Sequence, residues 1–453
     1  MSAALTLGKI NALHGQVQLV GSKSLTNRAL LLSALSAGTT TLHNILRSDD
    51  SKVMLAALEK LGVKVQVDPQ EDTTVTVTGL GGTFQVPAAT HEQPLELFLG
   101  NAGTAMRPLC AALALSTGFF KLTGEPRMYE RPIGVLVDAL RALGAEIEYL
   151  GQEGYPPLLI TGLGSTSGAT TATSAARNIE VLGNTSSQFI SALLMVGALL
   201  PYPLIIKVKG ELISKPYVKL TCELLQRFGV EVVNHDFASF ALQPQTIKAP
   251  QQYLVEGDAS GATYFLAGAA IAGEITVYGV GQNSIQGDTK FIEILGRMGA
   301  YTEIGPNYLR VKAAPQLHGL TIDMNDMPDA AMTLVPMALF TDSPMTITNI
   351  ASWRVKETDR IAAMATEMRK LGCAVTTGDD FITVDGNTAE CAERKARGEV
   401  PVFATYNDHR MAMCMALTAL DRKITINDPD CCRKTFPQFF TLWQEVAQFA
   451  NEA

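Results

Sequence analysis

Leu61-Gly62-Val63-Lys64-Val65 joins the end of a one-sided helix to the start of a short strand, and the same junction returns four more times along the chain. It reads Leu143-Gly144-Ala145-Glu146-Ile147, Phe228-Gly229-Val230-Glu231-Val232, Met298-Gly299-Ala300-Tyr301-Thr302 and Leu371-Gly372-Cys373-Ala374-Val375. In each, a glycine stands where a helix C-terminus takes a left-handed residue, and the alternation after it suits a half-buried strand. The five glycines are 82, 85, 70 and 73 residues apart, a spacing too regular to dismiss and too long for a common solenoid. A duplicated unit of about that length is expected. The bland alternative is that ordinary amphipathic helices happen to end in Gly.

Working outward from these junctions, each unit carries a second kind of helix. Before the one-sided helix comes an apolar one with a polar start, beginning near Ser24, Thr104, Ser187, Asp258, Asp329 and, for a sixth unit, Asp408. These are hydrophobic nearly all round and belong inside a core, whereas Met54, Ala57, Leu58 and Leu61, or Ile361, Met364, Met368 and Leu371, mark single apolar faces. Alternating strand signals, such as Thr74-Val75-Thr76-Val77-Thr78 and Leu204-Ile205-Ile206-Lys207-Val208, give an α/β class with buried helices flanked by sheets. Six units divide naturally into two domains of three, with a boundary in the polar stretch at residues 251–257 and a ligand cleft expected between them.

With 453 residues, 47% hydrophobic and 18% charged, the chain is long enough for two or three cores. A net charge of −8 and a pI near 5.4 argue against a nucleic-acid or anionic-membrane partner, although a local cationic cleft still focuses potential for small anions. Seven Cys show neither metal-ligand spacing nor a disulfide framework, which fits reduced thiols and a cytoplasmic setting. The start, Met1-Ser2-Ala3-Ala4-Leu5-Thr6-Leu7-Gly8-Lys9, indicates no targeting segment, and apolar runs such as residues 189–200 fall short of a bilayer span and read as buried helices.

Against this background the polar clusters stand out. Asn407-Asp408-His409-Arg410-Met411-Ala412-Met413, Gly21-Ser22-Lys23-Ser24-Leu25-Thr26-Asn27-Arg28 and Gly100-Asn101-Ala102-Gly103-Thr104-Ala105-Met106-Arg107 each open an otherwise apolar helix. Helix N-termini attract anions through their orphan N–H groups and dipole, so several converging on one cleft would hold phosphate and carboxylate groups. Gly124-Glu125-Pro126-Arg127-Met128-Tyr129-Glu130-Arg131-Pro132 is a charged loop, Ser186-Ser187-Gln188 and Ser214-Lys215-Pro216-Tyr217 open two further helices, and Lys356 and Arg360 stand at an i, i+4 spacing where a helix is expected to begin.

The competing reading of these residues is N-caps and solvated faces. It is weaker for Arg28, Arg107 and Arg410, because an arginine at an apolar helix start is costly to bury without a partner; for Arg107 an internal structural role is expected. Asp329 is a candidate base, against a role as dipole partner, and Glu357 a candidate acid or base, against surface ion pairing. His409 reads either as a site residue or as a buried, hydrogen-bonded histidine. No metal-ligand spacing, P-loop, dinucleotide fingerprint or nucleophile elbow appears.

These motifs, together with Gly124-Glu125-Pro126-Arg127-Met128, Ser186-Ser187-Gln188-Phe189 and Val355-Lys356-Glu357-Thr358-Asp359-Arg360, occur in the order seen in the 5-enolpyruvylshikimate-3-phosphate synthases, a family of enolpyruvyl transferases that the chain resembles over essentially its whole length. The resemblance implies two domains of three βαβαββ units each, an inside-out α/β barrel, with residues 1–20 and 257–453 in one domain and 21–256 in the other. It implies transfer of the enolpyruvyl group of phosphoenolpyruvate to the 5-hydroxyl of shikimate 3-phosphate, without metal or organic cofactor, by a cytoplasmic monomer.

By the same resemblance Ser24, Arg28, Ser186, Ser187, Gln188, Ser214 and Tyr217 look like shikimate phosphate contacts. Lys23, Asn101, Gly103, Arg127, Arg360, Arg410 and Lys434 look like phosphoenolpyruvate contacts, with Gln188 between both substrates. Asp329 looks like the base at the 5-hydroxyl, Glu357 like the partner at the methylene carbon, Lys356 like a shared cation and His409 like the family's site histidine. Where related bacterial sequences often carry Asn before Trp353-Arg354, this chain has Ser352, a shorter side chain at the position of one shikimate phosphate contact.

A transferase acting on UDP-N-acetylglucosamine resembles the same fold and chemistry but needs a cysteine-bearing loop, where this chain has Gly124-Glu125-Pro126. RNA 3′-terminal phosphate cyclase shares a related repeat but calls for a basic stripe. A non-catalytic anion binder is the third alternative. Because cations come from both halves, domain closure is expected to depend on ligand. Small-angle scattering should show compaction when shikimate 3-phosphate is added, and an unchanged radius would refute it.

Overall fold

Five of the repeats are present as βαβαββ units and the sixth in reduced form, described here by a computed structural model covering residues 4–165 and 175–450. Residues 1–3 of the N-terminal stretch read above lie outside the described residues. One unit shows the plan in full. Strand Leu95–Phe98 leads into the buried helix Gly103–Ala114 and returns as strand Phe119–Thr123, parallel to the first. The one-sided helix Gly134–Ala142 then delivers strands Glu146–Tyr149 and Leu158–Thr161, which complete the sheet in the order first, second, fourth, third. The first pair is parallel because a buried helix crosses between its strands, and the remaining neighbours are antiparallel. The order recurs with strands Arg177–Leu182, Leu204–Lys209, Ser239–Leu242 and Val233–His235, and with Thr321–Asp323, Met345–Thr348, Ile382–Asp385 and Ala374–Thr377.

The chain divides into two compact units, Met1–Val20 with Glu256–Ala453, and Gly21–Val255. Two strands show how it passes from one to the other. The repeat that starts at helix Lys23–Leu35 has no strand of its own ahead of that helix; its place beside Thr39–His43 is filled, in parallel, by Gln252–Leu254 from the far end of the same unit. Ile10–Gln18, which precedes that helix in sequence, instead takes the first position beside Gly273–Tyr278 in the discontinuous unit, with Ala447–Phe449 on its other edge. The sixth repeat is reduced to Val402–Phe403 and Ile424–Ile426, joined by Leu5–Leu7.

All five junction glycines are left-handed, with φ between 73° and 113°. The strand after Gly229 starts at Val233, one residue beyond the stretch read from the sequence. In each unit the three apolar helices lie inside and the sheets outside. In helix Ala259–Ile271 every residue except the last is buried, and in Lys23–Leu35 all but the first two are. This is why neither has a polar face.

Two expectations need correction. The apolar stretch from Asp329 is no continuous helix but two short ones, Pro328–Ala331 and Leu334–Met337, followed by a 3-10 turn, Ala338–Phe340. Pro336 supplies no N–H to the preceding turn, so the helix cannot run through. Lys356 and Arg360 do not share a helix face either. A 3-10 turn, Ala351–Val355, ends in extended backbone at Lys356, and the helix begins at Arg360, where the Asp359 side chain caps the Ala362 N–H at 3.1 Å.

The junction glycines differ in what surrounds them. At Gly62 a methyl group would meet nothing within 4 Å, whereas at Gly372 it would lie 2.8 Å from the Cys391 amide nitrogen and 2.9 Å from the Glu390 carbonyl carbon. Gly62→Ala is expected to cost about 1 kcal/mol for the left-handed backbone alone, and Gly372→Ala clearly more because backbone must move. Chemical denaturation of both variants checks this ranking, which fails if their midpoints coincide.

Candidate active site

In the Gly21–Val255 unit the starts of the buried helices are tied to one another by side chains. Asn27 Nδ2 on the first turn of Lys23–Leu35 donates to Thr104 Oγ1 on the first turn of Gly103–Ala114 at 2.8 Å. Arg28 Nε donates to Thr221 Oγ1 at 2.9 Å, and that hydroxyl donates to Ser191 Oγ in helix Ser187–Gly197 at 3.1 Å. The polar ends therefore point the same way, and their N–H groups share one end of the unit. Burial pushes the Arg28 guanidinium down to about 10, with Tyr217 countering it, so the group stays charged at neutral pH.

Around this end stand the other residues singled out above. Lys23 Nζ is 3.4 Å from Asp50 Oδ2. Asn101 accepts two hydrogen bonds from Arg131 Nη1, through its carbonyl at 3.0 Å and its side-chain oxygen at 2.9 Å. Gly103 lies under two guanidinium groups, and a methyl group there would sit 2.7 Å from Arg131 Nη2 and 2.8 Å from Arg107 Nη1. Arg107 itself donates to the Pro132 carbonyl at 3.0 Å, holding the charged loop. Arg127 pairs with Glu130 at 2.6 Å within the 3-10 turn Pro126–Glu130.

The serines behave differently from one another. Ser186 is an ordinary cap, accepting from the Gln188 amide at 3.2 Å, with Ser187 buried and Gln188 half-buried behind it. Ser214, at the start of helix Lys215–Arg227, has φ 55° and ψ 42° and makes no side-chain cap. It is a buried serine in a sparsely populated conformation.

The discontinuous unit holds a tighter cluster. Arg360, whose side chain is 1% exposed, reaches three carboxylates: Asp408 Oδ2 at 2.8 Å, Asp329 Oδ1 at 2.9 Å and Glu357 Oε2 at 3.0 Å. Arg410 Nη2 takes the other oxygen of Asp329 at 3.0 Å, Lys356 Nζ approaches Asp329 at 3.7 Å, and Lys434 Nζ lies 3.2 Å from Glu357. Trp353 pins the Lys356 segment beneath Asp329 by donating to the Pro328 carbonyl at 2.6 Å, with Ser352 half-buried beside it. His409 is buried beside Asp408, its Nδ1 3.8 Å from the carboxylate.

Four cations crowd around these three carboxylates, and an incoming anion can compete for them. Burial opposes the charge on Asp329, yet Arg410, Lys356 and Arg360 together hold its carboxyl well below the usual range. Burial likewise opposes the Arg360 charge, and Asp408, Glu357 and Asp329 raise it above an ordinary arginine. Glu357 is buried, which excludes the surface ion pair considered for it.

Four participants were not singled out from the sequence. Asp50 reads as a dipole partner in Ser48-Asp49-Asp50-Ser51, Arg131 as one charge in a loop, and Tyr264 as core. Asp288 lies in a 3-10 turn, Gly287–Lys290, with no sequence signal, and accepts from the Ser260 hydroxyl. Burial pushes its carboxyl up to about 6. Since the folded value exceeds the unfolded one, the stability this group contributes is complete below about pH 4 and lost as pH rises through about 6. Asp288→Asn, neutral throughout, should match the wild type near pH 4 and exceed it by about 3 kcal/mol above pH 7. Thermal unfolding at both pH values tests this, and an equal difference at each would remove the carboxyl from that role.

Comparison with known proteins places this geometry. The family model for EPSP synthase (3-phosphoshikimate 1-carboxyvinyltransferase) matches residues 7–443. The 3-phosphoshikimate 1-carboxyvinyltransferase of Shewanella loihica is 51% identical over 98% of this chain and 99% of its own length, and that of Vibrio cholerae is 50% identical over 98% and 100%. Among solved structures, EPSP synthase from Acinetobacter baumannii superposes with a TM-score of 0.76 at 25% identity, covering 98% of both chains. The enolpyruvyl transferase NikO from Streptomyces tendae shares the fold at a TM-score of 0.74 and 15% identity. The chain belongs to the EPSP synthase family.

Proposed function

We propose that this protein transfers the enolpyruvyl group of phosphoenolpyruvate to the 5-hydroxyl of shikimate 3-phosphate, releasing phosphate, on the route to chorismate and the aromatic amino acids. The observation that carries the chemistry is Asp329, a carboxylate gripped by Arg360 and Arg410 at 2.9 and 3.0 Å with Lys356 beside it.

In the free enzyme those cations keep Asp329 ionised but weakly basic. When the phosphate and carboxylate of phosphoenolpyruvate draw Arg360, Arg410, Lys356 and Lys434 to themselves, Asp329 loses partners and its proton affinity rises. It then takes the proton of the 5-hydroxyl as that oxygen attacks the enol carbon, while Glu357 hands a proton to the methylene carbon. In the elimination Glu357 takes a proton back from the methyl carbon of the tetrahedral intermediate and Asp329 gives its proton to the departing phosphate, whose charge the cations stabilise. His409, packed beside Asp408, supports the carboxylate that orients Arg360.

The other unit supplies most of the remaining groups in this reading. Ser24, Arg28, Ser186, Ser187, Gln188, Ser214 and Tyr217 hold shikimate 3-phosphate, with Ser352 of the discontinuous unit reaching toward it on a shorter side chain than Asn would have. Lys23, Asn101, Gly103 and Arg127 hold phosphoenolpyruvate. Both substrates are small anions, and the protein is proposed to act as a cytoplasmic monomer. Glyphosate is expected to compete with phosphoenolpyruvate at the segment around Gly103.

Phosphate release from phosphoenolpyruvate should occur with shikimate 3-phosphate and not with UDP-N-acetylglucosamine. Asp329→Ala should lower kcat at least about a hundredfold while the chain remains folded by circular dichroism. Release with the nucleotide sugar, or undiminished turnover in the variant, would overturn the assignment.

A further inference from the structure

Behind Arg410 lies a group that the chemistry above leaves unused. Tyr264, on helix Ala259–Ile271, is wholly buried, and its hydroxyl accepts a hydrogen bond from Arg410 Nη1 at 3.1 Å. The other arm of the same guanidinium, Nη2, reaches Asp329 Oδ2 at 3.0 Å. One planar, rigid fork thus spans a fixed phenol and the proposed base. The phenol is itself immobile, its ring packed edge-on against Phe439 at 5.6 Å between centroids. Burial raises its pKa well above that of an ordinary tyrosine, so it remains a neutral acceptor throughout the working range.

We infer that Tyr264 is a positioning residue for the transfer reaction, the pivot about which Arg410 turns when it passes from Asp329 to the phosphoenolpyruvate anion. With Nη1 anchored, the exchange of partners at Nη2 is a small rotation of one group rather than a search by a long side chain. The anchor also sets how strongly Arg410 bears on Asp329 before substrate arrives. This inference rests on the role proposed above for Asp329.

The charged surroundings fix the sign. Asp329 is faced by Arg410 from its own helix, by Lys356, Arg360 and Glu357 from the segment under Trp353, and by Asp288 from the Gly287–Lys290 turn. Tyr264 is faced by Arg410 and Cys414 on helix His409–Ala416 and by Asp258 at the start of its own helix. Of these, only Arg410 is within hydrogen-bond reach of both Tyr264 and Asp329. Removing the phenol oxygen loosens that cation, and the Asp329 carboxyl moves up toward its ordinary range.

Tyr264→Phe keeps the ring and deletes only the oxygen. The expected result is a fall of about tenfold in kcat/KM for phosphoenolpyruvate and an acidic limb of the pH profile moved upward by about half a unit or more. Thr263→Val, which removes the neighbouring 2.8 Å hydrogen bond to Thr333, is the control for a merely structural loss and should leave the limb where it was. Calorimetric titration with inorganic phosphate gives a readout independent of turnover, and about fivefold weaker binding is expected for Tyr264→Phe alone. If the limb and the phosphate affinity both stay at wild-type values in Tyr264→Phe, the pivot is refuted. If instead the wild type releases no phosphate from phosphoenolpyruvate while the phosphate affinities differ as stated, the proposed reaction fails and only the anchoring of Arg410 by Tyr264 for anion binding stands.

Discussion

Arg360 is the residue on which the discontinuous unit's chemistry turns, because a guanidinium that is almost entirely buried must be matched by charge or be expelled. It is matched three times over, by Asp329, Glu357 and Asp408, each from a different segment of chain. Holding the proposed base, the proposed acid and the helix-capping aspartate around one cation fixes their spacing. The surplus falls to Lys356, Arg410 and Lys434, which lie nearer solvent and face the same carboxylates. The cluster is therefore organised from within, and in the proposed reaction what changes on binding is the partner of each outer cation.

The fold makes that organisation available by turning helix starts inward. Sheets cover the outside of each unit, so the three apolar helices are free of any need for a polar face, and all their polarity is concentrated at one end. Side-chain ties at the ends themselves, Asn27 to Thr104 and Arg28 through Thr221 to Ser191, show that their alignment is built in rather than incidental. Ser214 carries the same theme further, since its left-handed backbone diverts the hydroxyl from capping.

Much of this was legible in the sequence because it depends on local chemistry. The junction glycines revealed the repeat, since a left-handed helix end can hardly be made otherwise, and apolar helices with a charged start revealed which ends matter. What was not legible depends on contacts distant in the chain. Tyr264 sits in a helix buried nearly all round, where nothing separates a functional hydroxyl from core until Arg410 is seen beside it, 146 residues away. Asp288 gives no periodic signal. The Asp329 helix was overestimated because its apolar pattern continues through Pro336, and the Lys356–Arg360 spacing was misread because the helix begins only at Arg360, capped by Asp359.

The exchange of strands at the passages between units has a consequence for synthesis on the ribosome. The Gly21–Val255 unit is a single stretch whose missing strand arrives with Gln252–Leu254, so it can close as soon as that segment emerges. Ile10–Gln18, made earlier, must wait for Gly273–Tyr278 and finally for Ala447–Phe449 before both its edges are covered. A strand made almost first is thus among the last to be satisfied, and through most of translation its open edges are exposed to misassociation.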